Sequence, residues 1–273
     1  MTQHFTAANR ANWDERADLH ATDTTGSYRI AQVLAGGSSL HEIEVSEIGD
    51  VTGLDIVHLQ CHIGLDTLSL KHLGARSVTG LDFSPRALAA ARDFAAGAGT
   101  EARFVEASLY DAPMALGATY DLAFVTWGAI CWLPDLARWA EVIAAVLRPG
   151  GRLYLLEGHP EMNQMEWRDG RFHVAYDWMS PAGGPQAWDE ATTYTGDERK
   201  LVNTRCYEWF HPVGQIVTAV LDAGLRLDFL HEHDRIAWRA FPDMVEVGED
   251  LFAMPEGTTK IPMALSLGAT KPV

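Results

Sequence analysis

Between Leu54 and Leu156 the chain alternates short runs of β-branched and other apolar residues with segments whose apolar positions recur at helical spacing. Strands that alternate with helices run parallel, because a connection long enough to hold a helix returns the chain to the starting edge of the sheet and covers one of its faces. This pattern is the signature of an α/β fold, a parallel sheet covered by helices. The first run, Leu54 to Leu59, passes through Gly64 into Leu65, Leu68 and Leu73, and Gly74 closes that helix. The second, Ser77 to Phe83, contains Asp82 near its end; Ser84 is placed to cap the next helix, Pro85 suits its first turn, and residues 87–96 continue it. A third run, Ala102 to Glu106, is short. The fourth, Tyr120 to Thr126, is almost continuously apolar, as a strand buried on both faces must be. Pro134 opens a helix carrying Leu136, Trp139, Ile143 and Leu147 on one face, Pro149, Gly150 and Gly151 stop it, and Arg152 to Glu157 is the fifth strand.

Outside this stretch the periodicity is weaker. The first 50 residues read as helical around Trp13 and Tyr28, while Leu40 to Ile48 fits either a helix or a strand. From Gly158 to Cys206 no period holds. Four of the nine tryptophans, Trp167, Trp178, Trp188 and Trp209, fall between 167 and 209, interrupted by the turn-rich Ser180 to Pro185. A helix from Pro212 to Ala223, a strand from Leu225 to His231 and a last strand from Ile261 to Ala269 complete the chain. The expected organisation is a helical segment over residues 1–50 and a core over 51–273, with 158–206 and 232–258 as insertions. A chain of 273 residues that is 47% apolar suffices for one principal domain.

Charge narrows the partners. With 37 Asp and Glu against 21 Lys and Arg, the formal charge of -16 repels phosphate backbones and anionic membrane surfaces, so neither nucleic acid nor membrane is expected as a partner. Three dispersed cysteines, Cys61, Cys131 and Cys206, offer neither a disulfide framework nor a four-cysteine zinc site, which fits a reducing cytoplasm. No stretch approaches the roughly 20 apolar residues of a membrane span.

In doubly wound sheets, ligands bind beyond the carboxyl ends of the strands where strand order reverses. Asp82 lies 18 positions after Gly64, a spacing that places a carboxylate to accept hydrogen bonds from two ribose hydroxyls beside a close turn. Singly, Gly64 reads equally as a turn, Gly74 as a cap and Asp82 as the neighbour of a cap. Together, Asp55 to Gly64 (DIVHLQCHIG), Val78 to Pro85 (VTGLDFSP) and Leu147 to Leu153 (LRPGGRL) resemble the class I S-adenosylmethionine-dependent methyltransferases over roughly residues 50–160. The resemblance implies a Rossmann-like, seven-stranded, mostly parallel sheet with an antiparallel last strand and helices on both faces. It also implies S-adenosyl-L-methionine along the carboxyl edge, an N-terminal helical lid, and an aromatic-rich insertion after the fifth strand that shapes the acceptor site.

Residue by residue, the resemblance places Gln60 and Cys61 against the methionine portion through backbone groups, with His62 and Gly64 completing the turn. Asp82, followed by Phe83 and Ser84, faces the ribose. Ser108 takes the place near the adenine amino group where the family often has an acid, with Leu109 and Tyr110 flanking the ring. Thr126 and Trp127 close over the sulfonium, and Trp13 covers the cofactor from the lid. The family loop opens with an acid and carries three glycines; this chain has His58, Gln60 and His62, and a single glycine, Gly64. Those side chains crowd a pyrophosphate, which disfavours an NAD-dependent oxidoreductase, whereas S-adenosylmethionine carries no phosphate. After the fourth strand the sequence TWGA at Thr126 to Ala129 lacks the Asn/Asp-Pro-Pro-aromatic motif of nucleic-acid amino-methyltransferases. The expected reaction is methyl transfer to a nitrogen or oxygen of a small-molecule acceptor. A protein of the same fold that binds the cofactor without methylating is the alternative.

Candidate bases stand at strand ends: Glu157 and His159 after the fifth, His231 and His233 after the sixth. His231 and His233 share one face of an extended segment and read either as half a metal site or as a polar strand end; no third ligand is identifiable, and no metal is expected. Trp167, Tyr176, Trp178, Trp188 and Tyr194 read equally as a pocket for an aromatic or cationic acceptor and as the insertion's own core. Trp13, Arg16, His20 and Tyr28 read as a lid or as a plain amphipathic helix.

Overall fold

The computed structural model describes residues 2–180 and 184–273. The stretch 181–183 of the turn-rich Ser180 to Pro185 therefore lies outside the described residues. The chain opens with α1 (Thr2–Ala21), α2 (Ile30–Leu34) and α3 (Glu42–Ile48). The alternating half follows as β1 (Asp55–Leu59), α4 (Leu65–His72), β2 (Ser77–Asp82), α5 (Pro85–Ala98), β3 (Arg103–Glu106), α6 (Ala112–Leu116), β4 (Tyr120–Thr126), α7 (Leu136–Val146) and β5 (Leu147–Gly158). Two antiparallel pairs come next, β6 (Met165–Arg168) with β7 (Arg171–Val174), and β8 (Gln186–Asp189) with β9 (Arg205–Glu208). They are followed by α8 (Val213–Asp222), β10 (Arg226–His233), the short strands β11 (Arg235–Ile236), β12 (Val245–Val247) and β13 (Leu251–Ala253), and finally β14 (Ala264–Thr270).

Seven strands form one sheet in the order β10-β14-β5-β4-β1-β2-β3. The pairs from β5 to β3 are parallel, and β14 runs antiparallel to both β5 and β10. Strand order reverses between β1 and β4, which opens a crevice at their carboxyl ends. The period-two alternation of each strand feeds two cores. Val57, Leu59, Ala123, Val125, Leu153 and Leu155 pack with Trp139 and Ile143 of α7 and with Ile216 and Val220 of α8. Ile56, Leu122, Phe124, Tyr154 and Leu156 pack on the other face with Ile43 and Ile48 of α3 and Leu70 of α4. The ambiguous stretch at 40–48 is thus settled as a helix by the two isoleucines it must bury. Ala17 of α1 and Val33 of α2 join Leu65, Leu68, Ala87 and Ala95 in a third cluster.

Local signals explain most boundaries. Ser84 caps α5 by accepting from the Ala87 amide at 3.1 Å, with Pro85 in the first turn. Asp135, rather than Pro134, caps α7, accepting from the Arg138 amide at 2.9 Å. The fifth strand begins at Leu147 and not at Arg152. Leu147 pairs with Tyr120, and Gly150 and Gly151 exchange 2.8 Å hydrogen bonds with Lys271, so the expected stop is itself strand. Similarly, β10 runs on to His233 because β14 pairs with it as far as Ala264.

The two irregular regions have structure of their own. The second folds as a three-stranded sheet, β11-β13-β12, over a methionine-rich cluster of Met162, Met244, Met254 and Met263. The first meets α1 across its length. Asn9 both donates to Tyr207 O and accepts from Tyr207 N, each at 2.8 Å. Asn12 donates to Asn203 O at 2.7 Å, and Glu15 accepts from the Val202 and Asn203 amides at 2.7 and 2.8 Å. Each contact satisfies backbone on the edge of β9 away from β8 or on the chain leading into β9. No helix among the described residues is long and apolar enough to cross a membrane.

Candidate functional site

A cavity of about 940 Å³ lies at the carboxyl edge of the sheet, between the strand ends, α1 and the two irregular regions. At its floor the turn after β1 takes an unusual path. Gln60 and His62 have φ of 57° and 48°, left-handed values that cost a residue with a Cβ about 1–2 kcal/mol. Side-chain anchors hold them there. Gln60 Nε2 donates to Ala129 O at 2.8 Å, and His62 Nε2 lies 2.8 Å from His20 Nδ1. The loop thus retains the backbone that glycines would adopt freely. Gly64, φ 76°, serves packing beneath the turn: a Cβ there would stand 2.7 Å from the Ala91 methyl and 2.9 Å from the Phe104 ring.

Asp82, at the end of β2, is buried at the cavity wall. One oxygen accepts from the His62 amide at 2.9 Å and the other from the Ser84 amide at 2.8 Å, leaving each a further lone pair. Burial pushes its pKa up to about 6, against the pull of these amides. His62 is held neutral near pKa 3, first by burial and then by the Arg16 charge.

Opposite stands the loop after β4. Trp127 has φ 48°, with its indole Nε1 donating to Glu44 Oε1 at 2.6 Å. Glu157 fixes the same loop, its carboxylate accepting from the amides of Gly128, Ala129, Ile130 and Gly158 at 2.5 to 2.9 Å. Burial raises its pKa while those four amides draw it down. Glu157 lines the cavity, but its oxygens are engaged in shaping this loop, so it acts as a positioning residue.

Rings enclose the space. Trp127, Trp238, Tyr194, His20, His62, Trp13 and Trp132 follow one another at centroid separations of 5.0 to 6.5 Å. His20 joins three segments: its Nδ1 is 2.8 Å from both His62 Nε2 and the Tyr28 hydroxyl, and its Nε2 is 2.5 Å from Thr193 Oγ1. Tyr28 in turn bonds Tyr194.

Of the residues singled out in the sequence, Trp13, Gln60, Cys61, His62, Gly64, Asp82, Phe83, Ser108, Leu109, Tyr110, Thr126, Trp127 and Glu157 meet around this cavity. Three do not. Ser84 is turned away, its hydroxyl capping α5 and donating to Asp14 Oδ1 at 2.5 Å, so its assignment to the cofactor is corrected. His159 is fully buried outside the lining, with Nε2 3.0 Å from Glu232 Oε1 and Nδ1 accepting from the Glu161 amide, which makes it a turn residue and not a base. His233 bonds Ser266 at 2.9 Å and, like His231, faces Glu47 of α3, which removes it from the reacting centre. No group of three metal-ligating side chains is arranged around either histidine among the described residues. Of the five insertion aromatics only Tyr194 reaches the cavity. Trp167 packs on Phe172, Tyr176 on Trp188, and Trp178 is exposed. Trp132, Trp209, Trp238, Glu190 and Glu208 line the cavity unanticipated, because each arrives from a segment without periodicity.

The groups at the floor fit S-adenosylmethionine. Asp82 offers lone pairs to a diol, Gln60 Oε1 is a buried acceptor with no partner, and Ser108 to Tyr110 supply a polar and ring-flanked end. A pyrophosphate fits poorly: the only guanidiniums in the lining among the described residues, Arg16 and Arg239, are held by Glu190 and by Met244 O, and His62 fills the loop. Strand order, antiparallel seventh strand and acid at the end of β2 together define the class I S-adenosylmethionine-dependent methyltransferase fold.

The comparisons agree. Residues 42–151 match the family model described as a methyltransferase domain. The chain is 27% identical over 142 residues to a ubiquinone biosynthesis O-methyltransferase of Methylobacterium sp. (strain 4-46), an alignment covering 52% of this chain and 56% of that protein. It is 32% identical over 104 residues to a ribosomal protein L11 methyltransferase of Vibrio cholerae, covering 38% and 33%. The match thus spans about half the length of the first relative and a third of the second. An S-adenosylmethionine-dependent methyltransferase structure from Mesorhizobium loti superposes with TM-score 0.56 at 22% identity, over 82% of this chain and 94% of that one. Residues 42–151 thus match a methyltransferase domain, and the chain has the fold of S-adenosylmethionine-dependent methyltransferase structures.

Proposed function

We propose that the protein transfers a methyl group from S-adenosylmethionine to a nitrogen or oxygen of a small molecule held between the loop after β4, α1 and the insertions. The observation that carries this reading is Asp82, a buried carboxylate fixed by two backbone amides at the floor of a cavity closed by aromatic rings. When bound, S-adenosylmethionine would supply an electrophilic methyl group on a sulfonium, with its sulfur as the leaving group. The chain's own residues then bind and align. Asp82 accepts from ribose hydroxyls, and the turn at 60–64 presents its backbone to the amino-acid portion. The loop Trp127 to Ile130, braced by Glu157 and Glu44, sets the wall against which the acceptor lies. Alignment of this kind supplies much of the barrier reduction in a displacement between two bound partners. Trp13 and Tyr28, on the N-terminal segment, exclude water from the ring-lined space.

A volume of about 940 Å³ is at the upper end of the range for single small ligands, which supports room for cofactor and acceptor together. The test is transfer of radiolabelled methyl from S-adenosylmethionine to a panel of small amines, phenols and alcohols. Label in a panel member is expected. Cofactor binding with no label transferred to any of them would favour the non-methylating alternative.

A further inference from the structure

Glu208 ends β9, and the next residue, Trp209, donates its amide to Cys131 O at 2.7 Å, fastening this strand end to the loop after β4. One Glu208 oxygen accepts from the Trp188 indole at 2.9 Å; the other has no hydrogen bond and stays accessible in the cavity that Glu208 lines. Two other glutamates of the lining are engaged, Glu190 by Arg16 and Glu157 by its four amides. Among the described residues, five carboxyl groups line the cavity against two guanidiniums. Trp132 and Trp209 stand in the same lining, and the faces of such rings attract a cation.

We propose that the acceptor is an amine carried on an apolar or aromatic body, and that Glu208 binds its ammonium group and takes the proton that must leave before nitrogen can attack. The proposal rests on the methyl-transfer reading above. In the step, an ammonium N–H bond breaks, the proton passes to the free carboxylate oxygen of Glu208, and the electron pair stays on nitrogen as the nucleophile's lone pair. Burial, reinforced by the Glu190 charge, raises the Glu208 pKa to about 7, while the Trp188 bond and Arg16 pull it down and Glu157 adds to the rise. The thiols of Cys131 and Cys206 nearby are pushed above their usual range and stay neutral. Glu208 is therefore poised to gain and lose a proton near neutrality, whereas an ordinary carboxylate would hold a proton too weakly.

The test uses three indole probes of similar shape, tryptamine, tryptophol and indole-3-propionate, titrated into protein saturated with S-adenosylhomocysteine. Tryptamine is expected to bind at least about ten-fold (~1.4 kcal/mol) more tightly than the neutral and anionic probes. Its affinity should rise as pH increases through about 7, where Glu208 ionises. Glu208→Gln should remove both the preference and the pH dependence, and Glu208→Asp should restore part of the preference. Equal binding of the three probes, no binding of tryptamine, a flat pH profile in the wild type, or a preference that survives Glu208→Gln overturns the proposal. Should Glu208→Gln not fold, the wild-type pH profile decides alone. Failure of the underlying reading has a different signature, a folded wild-type protein that takes up no S-adenosylhomocysteine.

Discussion

At Asp82, burial and backbone amides act in opposite directions, and burial wins, leaving a pKa of about 6. Protonation converts one acceptor oxygen into a donor, so affinity for S-adenosylhomocysteine is expected to fall as pH drops through about 6 and to be restored above it. Calorimetric titration on either side of that value checks this, and Asp82→Asn should flatten the profile. Gln60 makes a second test of the site's chemistry. Gln60→Gly loses the hydrogen bond to Ala129 but relieves the left-handed backbone, two effects of about 1 kcal/mol that offset each other. Gln60→Ala loses the bond and keeps the strain. Denaturant unfolding should therefore rank wild type and Gln60→Gly close together, with Gln60→Ala lower by about 1–2 kcal/mol. Asp82 was legible in the sequence because one strand end and one spacing locate it. The left-handed turn was not, since Gln60 and His62 disguise a backbone that glycine would have announced.

Elements that carry a strong period could be read directly. β4 appears with the bounds its apolar run predicts, and α5 starts at the Ser84-Pro85 signal. The same Ser84 shows the limit, for a hydroxyl that caps a helix is not free to bind a ligand. His159 and His233 were candidates because they follow strand ends, yet a strand end has two sides, and only packing decides which side a side chain takes. The helix α1 is held by side chains that pair with irregular backbone, Asn9 to Tyr207 and Glu15 to Val202 and Asn203, and these partners lie nearly 200 residues away in sequence. Replacing both residues by alanine in one variant is expected to loosen α1 from β9 while the sheet stays folded. Hydrogen exchange should show faster exchange in Thr2–Ala21 than in β4, together with weaker cofactor binding. Equal protection of α1 in the variant and the wild type would show that these contacts do not hold it.

Across the whole molecule, the sheet supplies a fixed edge and the segments outside the alternating half supply what distinguishes this chain. The parallel part of the sheet was legible in the alternation of apolar runs, whereas its seven strands and antiparallel last strand were implied by the family resemblance. The cavity's far wall did not follow, because Trp132, Trp209, Trp238, Glu190 and Glu208 converge from four regions whose joint position no local period encodes. The chain's formal charge of -16 has a local counterpart in the cavity lining, where carboxyl groups outnumber guanidiniums among the described residues. The central claim, a cofactor site organised by Asp82, is tested most directly by titrating S-adenosylhomocysteine into wild-type protein and Asp82→Ala side by side. The account predicts one-to-one binding to the wild type and affinity lower by roughly 1–3 kcal/mol in the folded variant, as the loss of hydrogen bonds to a charged group requires. Equal affinity in the two proteins, or no binding to the folded wild type, would contradict it.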